Sequence, residues 1–213
     1  MNMKPSATLE WVTPNAERIV VRQARVSAPE NQGNNETAPR LIRYLIKHKH
    51  WSPFEMASMC VEISTTRAIS QQIIRHSSFH FQEYSQRYAP VPKAEVPALR
   101  RIDSKNRQNS FDDLDDEIVT AFQNMIQEHF DKGYDLYESM LEAGVAKECA
   151  RAILPICSPT KMYMTGTLRD WLFYLDLRSG KETQWEHRTI ANQIKDIFAE
   201  QFPTIYEAFW CTP

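Results

Sequence analysis

The residues from Gln72 to Tyr88 carry the densest set of groups able to do chemistry. In QIIRHSSFHFQEYSQRY stand two arginines, two histidines, a glutamate, three serines and three glutamines, interleaved with Phe79, Phe81, Tyr84 and Tyr88. Arg75 and Arg87 can clamp a phosphate or carboxylate through paired hydrogen bonds, while Phe79, Phe81 and Tyr84 supply an apolar wall. A solvated helix end can also be this polar, but the interleaved aromatics favour a ligand site. His76 and His80 have the i, i+4 spacing that binds zinc when both share one helix face. The alternation of Phe79 and Phe81 with polar neighbours ends the helix first, so no metal is assigned. His48 and His50 read as solvated residues at a helix end.

Two further arginines stand out. Arg151, in AKECARAILP, has Glu148 as an i, i+3 partner and in isolation reads as a helix-surface ion pair. Arg178 closes LRDWLFYLDLRSG and in isolation reads as a cation at a helix C-terminus. Asp113, Asp115 and Asp116 read as a solvated helix start.

The elements that must position these groups follow from periodicity. Leu41, Tyr44, Leu45 and His48 predict a helix ending near Lys49, and Trp51–Glu55 predicts a break at Pro53. Met56 to Ser64 alternates, with Ala57, Met59, Val61 and Ile63 on one face, as a half-buried strand does. TRAISQQIIRH then turns helical, with Ile69 and Ile73 inward and Arg67, Gln71 and Arg75 outward. Pro90, Pro92 and Pro97 open an irregular stretch whose continuation, RRIDSKNRQNS, predicts a mobile loop. Ser110–Asp113 resembles a capping box for a long helix with Val119, Phe122, Ile126, Phe130, Gly133, Leu136 and Met140 as its buried stripe. Val145 to Leu154 predicts a helix stopped at Pro155. Leu168, Trp171, Leu172 and Leu175 predict another that Thr167 can cap, and Ile190, Ile194, Ile197 and Phe198 a last one.

Composition removes several classes of function. The chain has 213 residues, 25 Lys plus Arg, 27 Asp plus Glu and a formal charge of −2, so it is no globally basic nucleic-acid binder. No apolar run is long enough to span a membrane, and MNMKPSATLEWV lacks the apolar core of a signal peptide. A cytoplasmic location without membrane partners is expected. Cys60, Cys149, Cys157 and Cys211 form no CxxC pair and read as free thiols. Only five glycines occur, without a phosphate-cradling glycine motif.

HWSPFE, QQIIRHSSFHFQEYSQRY, GVAKECARAILP and LRDWLFYLDLRSGKETQWEH, in this order and spacing, resemble the flavin-dependent thymidylate synthase family from about His50 to Glu207. The Glu-x-Ser-x-Arg-Tyr element is intact as Glu83-Tyr-Ser85-Gln-Arg87-Tyr88. The resemblance implies reductive methylation of dUMP to dTMP, with FAD as cofactor and NADPH and 5,10-methylenetetrahydrofolate as co-substrates. It implies dUMP contacts from Gln72, Arg75, Glu83, Ser85, Gln86, Arg87 and Arg151, and Arg178 as the catalytic cation that faces the uracil and favours its ionised form. It implies flavin-site residues at Ser58, Arg75, His76, Ser77, Glu83, Thr167 and Arg169, and a homotetramer whose sites are shared between subunits. No protein nucleophile is implied, in keeping with cysteines that have no activating partner. The implied fold is α/β: a single domain over residues 1–213, with a mostly antiparallel central sheet flanked by helices and a long helix from about Phe111 to Glu142.

Three positions depart from the family pattern. Ser77 stands where the Arg-His-Arg element has its second arginine, Met56 where some members have histidine, and Phe173 where an asparagine is usual. A lost charge-assisted hydrogen bond costs about 1.5–3 kcal/mol when its partner is otherwise unmet. Ser77 therefore keeps two alternatives open: another flavin-dependent pyrimidine modification such as hydroxymethylation, or a dUMP-binding homologue without turnover.

Overall fold

The computed structural model of the chain describes residues 4–211. In chain order the elements are β1 (Ser6–Val12), α1 (Ala16–Ala24), α2 (Ala38–Lys47), β2 (Ser58–Thr66), α3 (Arg67–Ile73), β3 (His80–Glu83), β4 (Arg101–Ile102) and β5 (Ser110–Phe111). Then come α4 (Asp116–Glu142), α5 (Lys147–Ala150), β6 (Pro159–Thr167), α6 (Leu168–Arg178), α7 (Trp185–Gln201) and α8 (Pro203–Tyr206). The fold is α/β with an antiparallel sheet flanked by helices. The four-stranded sheet has the order β1-β2-β6-β3, and β4 and β5 form a separate antiparallel pair.

The chain groups into two compact units, each discontinuous in sequence. One is built mainly of Ser64–Ile73 and Glu83–Met162; the other of Ser6–Ile63, Ile74–Gln82 and Tyr163–Pro213. In the first unit, Phe130, Tyr134 and Tyr137 of α4 bury against Val91, Ala94 and Ala150, with Ile126, Met140 and Leu154 around them. The tyrosine hydroxyls stay satisfied: Tyr134 donates to the Pro92 carbonyl, and Tyr137 accepts the Val91 N–H at 3.2 Å. The proline-rich stretch is thus tied down by backbone-directed bonds that need no regular secondary structure.

In the second unit, Met59, Val61 and Ile63 of β2 are fully buried, as their alternation requires. Leu168, Trp171, Leu172 and Leu175 of α6 pack with Ile190, Ile194 and Phe198 of α7. Thr167 and Asp170 form a reciprocal capping box, which fixes where β6 ends and α6 begins. Gly166 lies just before it. A Cβ there would sit 2.6 Å from the Phe79 ring, so only glycine admits this close approach.

Several expectations are corrected. Trp51–Glu55 is not a simple break but leads into a 3-10 helix over Ser52–Met56, since Pro53 suits a first turn. RRIDSKNRQNS holds the β4–β5 pair, fastened by the twin hydrogen bonds of Arg101 to Asp113 at 2.8 and 2.7 Å. Ser110 belongs to β5; Asp115 caps α4, so the long helix starts later than Phe111. Phe130 is buried as expected, but Phe122 and Leu136 are 53% and 52% exposed, and the buried stripe continues through Tyr134 and Tyr137. Val145–Leu154 is a short α5 followed by a 3-10 turn, Arg151–Ile153. α3 ends at Ile73, so Arg75 and His76 lie in the turn beyond it rather than on its face.

Candidate active site

In the first unit, the intact motif begins on β3 and continues into a turn. Glu83 is held from two sides: Arg67 forms an ion pair at 2.5 Å and the Thr160 hydroxyl donates at 3.0 Å. The Tyr84 N–H donates to the Lys161 carbonyl at 2.9 Å, and its hydroxyl donates to the Pro90 carbonyl at 2.6 Å. Tyr88 and Ala89 donate their N–H groups to the Ser85 carbonyl, closing a turn that presents Gln86 and Arg87 at its crest. Arg87 meets Glu148 of α5 at 2.9 Å. Glu148 is therefore the partner of Arg87, not of Arg151 as the i, i+3 spacing suggests. Arg151, half-buried, begins the 3-10 turn directly after α5, and Gln72 sits half-buried on α3. The unit thus gathers Glu83, Ser85, Gln86 and Arg87 on one short segment and joins that segment to the element that leads to Arg151.

In the second unit, Arg75, His76 and Ser77 share the turn after α3, with Arg75 and Ser77 exposed. The His76 carbonyl accepts the Phe79 N–H at 3.1 Å, and Phe79 buries edge-on against Trp171 and Tyr174. This anchors the turn under α6. Arg178, in the last turn of α6, donates from Nε to Nε2 of His76 at 2.8 Å. Tyr174 lies one turn earlier and shares a 3.0 Å hydrogen bond with Nε2 of the fully buried His187. Burial, then the charge of Arg178, pushes the His76 pKa down. The same causes, with His76 as a further contributor, depress that of His187 to about 3, while burial raises that of Tyr174. The array is one fixed cation on neutral rings.

The remaining flavin-site expectations lie in the same unit. Thr167 spends its hydroxyl on the α6 capping box. Arg169 pairs with Glu55 and lies over the Phe173 ring at 5.9 Å, and Phe173 meets Trp51 edge-on at 5.0 Å. The Ser58 N–H donates to the Thr13 hydroxyl at 2.9 Å. A cavity of about 590 Å³ opens beside α1 and the 3-10 helix, lined by Arg22, Gln23, Gln32, Ser52, Pro53 and Met56. A second cavity shares its Arg22 and Gln32 and adds Asn15 and Arg18.

Sequence reasoning missed Arg22, Gln32, Ser52, Glu55, Tyr174 and His187. Arg18 and Arg22 at i, i+4 on one helix were a readable signal, and so was Ser52 inside the quoted HWSPFE. Among the described residues no group of three or more His, Cys, Asp or Glu is placed to hold a metal.

Comparison with known proteins gives consistent matches. The family model described as thymidylate synthase complementing protein matches residues 8–204. A probable flavin-dependent thymidylate synthase of Paramecium bursaria Chlorella virus 1 is 49% identical, covering 91% of this chain and 90% of its own. A flavin-dependent thymidylate synthase of Synechocystis sp. is 43% identical, covering 96% and 94%. Among solved structures, the UMP/dUMP methylase PolB of Streptomyces cacaoi bound with 5-Br dUMP has a TM-score of 0.86 at 27% identity, covering 97% of this chain and 95% of that one. The same methylase bound with 5-Br UMP matches at 0.86 and 26%.

Proposed function

We propose a division of labour for this chain, which belongs to the family of thymidylate synthase complementing proteins and is a flavin-dependent thymidylate synthase. The reaction is reductive methylation of dUMP to dTMP, with 5,10-methylenetetrahydrofolate as carbon donor and NADPH as reductant of FAD. The match over residues 8–204 carries this reading.

The residues present fit a flavin dinucleotide. The cavity beside α1 combines the Arg22 guanidinium, the Gln23 and Gln32 amides and the Ser52 hydroxyl with apolar walls from Ile19, Val26, Pro53 and Met56. Such a mixture suits a diphosphate and flat rings. Arg22, Gln32 and Ser52, with Arg169 and Ser58, are the groups that would hold it; the resemblance alone adds Thr167, whose hydroxyl serves the α6 capping box, and Arg75, His76, Ser77 and Glu83. When bound, the flavin supplies the hydride that reduces the incoming one-carbon unit.

The protein itself binds and polarises. Arg87, Ser85, Gln86 and Arg151, with Gln72, Arg75 and Glu83, hold dUMP; Arg87 exchanges the Glu148 carboxylate for the nucleotide phosphate. Arg178 places positive charge at the pyrimidine, where negative charge develops, and a preformed cation needs little reorganisation there. A neutral partner at its Nε leaves that charge undiminished.

We further propose a homotetramer with shared sites. On α4, Ile118, Phe122, Met125 and Leu136 stand exposed at helical spacing, a stripe suited to burial against another copy. Residues 1–213 act as one functional domain in the cytoplasm; among the described residues no helix is long and apolar enough to cross a membrane.

Release of tritium from C5-labelled dUMP tests the reading. It should require FAD, NADPH and methylenetetrahydrofolate together, with dTMP as the product by mass. A product bearing a hydroxymethyl group, or dUMP binding without release, would overturn it. The structural neighbour bound with 5-Br UMP favours a second reading, in which UMP is also methylated. Equal turnover of UMP would establish that reading.

A further inference from the structure

A guanidinium carries its five N–H donors in one plane, so a single fixed bond sets the orientation of the rest. In Arg178 that bond is the one from Nε to Nε2 of His76, at 2.8 Å. Among the described residues it leaves the two terminal nitrogens for a ligand. Accepting at Nε2 requires a lone pair there, which a neutral imidazole protonated on Nδ1 provides. The ring of His76 is fixed in turn. It stands edge-on to Tyr174, with centroids 4.9 Å apart and planes at 86°. The Tyr174 hydroxyl is tied to His187 of α7 at 3.0 Å. Tyr174 and Arg178 are four residues apart on α6, so the helix itself brings phenol and guanidinium to the same side.

We propose that His76 is a positioning residue for Arg178, orienting the guanidinium so that its terminal nitrogens meet the pyrimidine, and that Tyr174 and His187 hold His76 in register. The proposal rests on the reading of Arg178 as the cation at the uracil. It gives His76 a different task from the flavin contact that family resemblance implies, and the two tasks fail differently. Loss of a flavin contact loses flavin. Loss of a positioning bond keeps flavin and dUMP but slows turnover, because a reacting group misplaced by about an ångström costs on the order of a hundredfold.

The full-length protein loaded with FAD provides the test, through His76→Phe and His76→Gln. Phenylalanine keeps a flat ring without the acceptor; glutamine restores an acceptor oxygen. His76→Phe should lower kcat for tritium release by roughly ten- to a hundredfold. KM for dUMP and the bound-flavin absorbance should stay near wild type, and His76→Gln should recover most of kcat. Within an Arg178→Lys background, His76→Phe should cost little more, since the bond is already absent. A readout independent of turnover is the ¹⁵N resonance of Arg178 Nε–H, assigned by its loss in Arg178→Lys. It should be protected from exchange in wild type, collapse toward exposed arginines in His76→Phe, and return in His76→Gln. Flavin loss in His76→Phe, an unchanged Nε–H signal, or equal impairment by glutamine and phenylalanine would overturn the proposal. A wild type without tritium release would instead defeat the role of Arg178, while the Nε–H signal still decides whether His76 orients it.

Discussion

Arg178 in the second unit and Arg87 in the first each have one clear partner, yet they are held in opposite ways. Arg178 donates to a neutral ring inside an array of buried aromatic groups. Arg87 rests on a carboxylate, with its side chain 68% exposed and that of Glu148 51% exposed. A neutral acceptor orients a cation without cancelling its field, which suits a group that must stabilise charge appearing during a reaction. A solvated carboxylate cancels much of the field and gives way cheaply, which suits a group that takes and releases a phosphate. Arg67 and Glu83 show a third arrangement. Their side chains are only 29% and 17% exposed, and Thr160 adds a hydrogen bond, so this pair fixes the motif strand and holds the Glu83 carboxylate in one orientation.

The contrast can be broken by substitution. Glu83→Ala leaves Arg67 half-buried without its carboxylate and should destabilise the protein by about 2–3 kcal/mol in denaturant melts. A change below about 0.5 kcal/mol would place Glu83 with the exchangeable pairs instead.

The buried array predicts acid sensitivity. His187 has an ordinary value of 6.5 and a folded-state value of about 3. The unfolded chain therefore binds the extra proton between these values, and stability falls as pH drops from about 6.5, levelling near 3. The slope should approach about 1.4 kcal/mol per pH unit for this one proton. His187→Gln should flatten the slope in thermal melts; an unchanged slope would mean that other groups carry it.

Glu148→Gln should cost less than about 1 kcal/mol of stability, as exposed pairs do. By freeing Arg87 it should also tighten dUMP binding severalfold at low salt, measured by calorimetry. Weaker binding would show that Glu148 helps to hold the nucleotide.

Much of this arrangement was legible from local pattern. The alternation of Ala57 to Ile63 predicted a buried strand face, and Thr167 predicted the start of α6. The Glu-x-Ser-x-Arg-Tyr element stands together on one segment. What escaped was decided at long range. β1 is largely exposed, so Ser6–Val12 has no apolar alternation to read. α4 carries apolar residues on two faces, so periodicity alone could not tell Phe122 and Leu136 from the buried Tyr134 and Tyr137. Glu148 offered a local partner in Arg151 but meets Arg87, distant in sequence. His187 sits in WEHR among polar neighbours, and nothing there announces a fully buried imidazole; its partner Tyr174 reads as ordinary helix core.

The most direct test of the account is a paired kinetic measurement of Arg178→Lys and Arg87→Lys in the tritium-release assay. Arg178→Lys should lower kcat by about a hundredfold or more with KM for dUMP little changed, because an interaction made mainly in the transition state is lost. Arg87→Lys should raise KM severalfold and leave kcat near wild type, because binding alone is weakened. The reverse pattern, or the same loss in both variants, would contradict the separation of a chemical cation from a binding one.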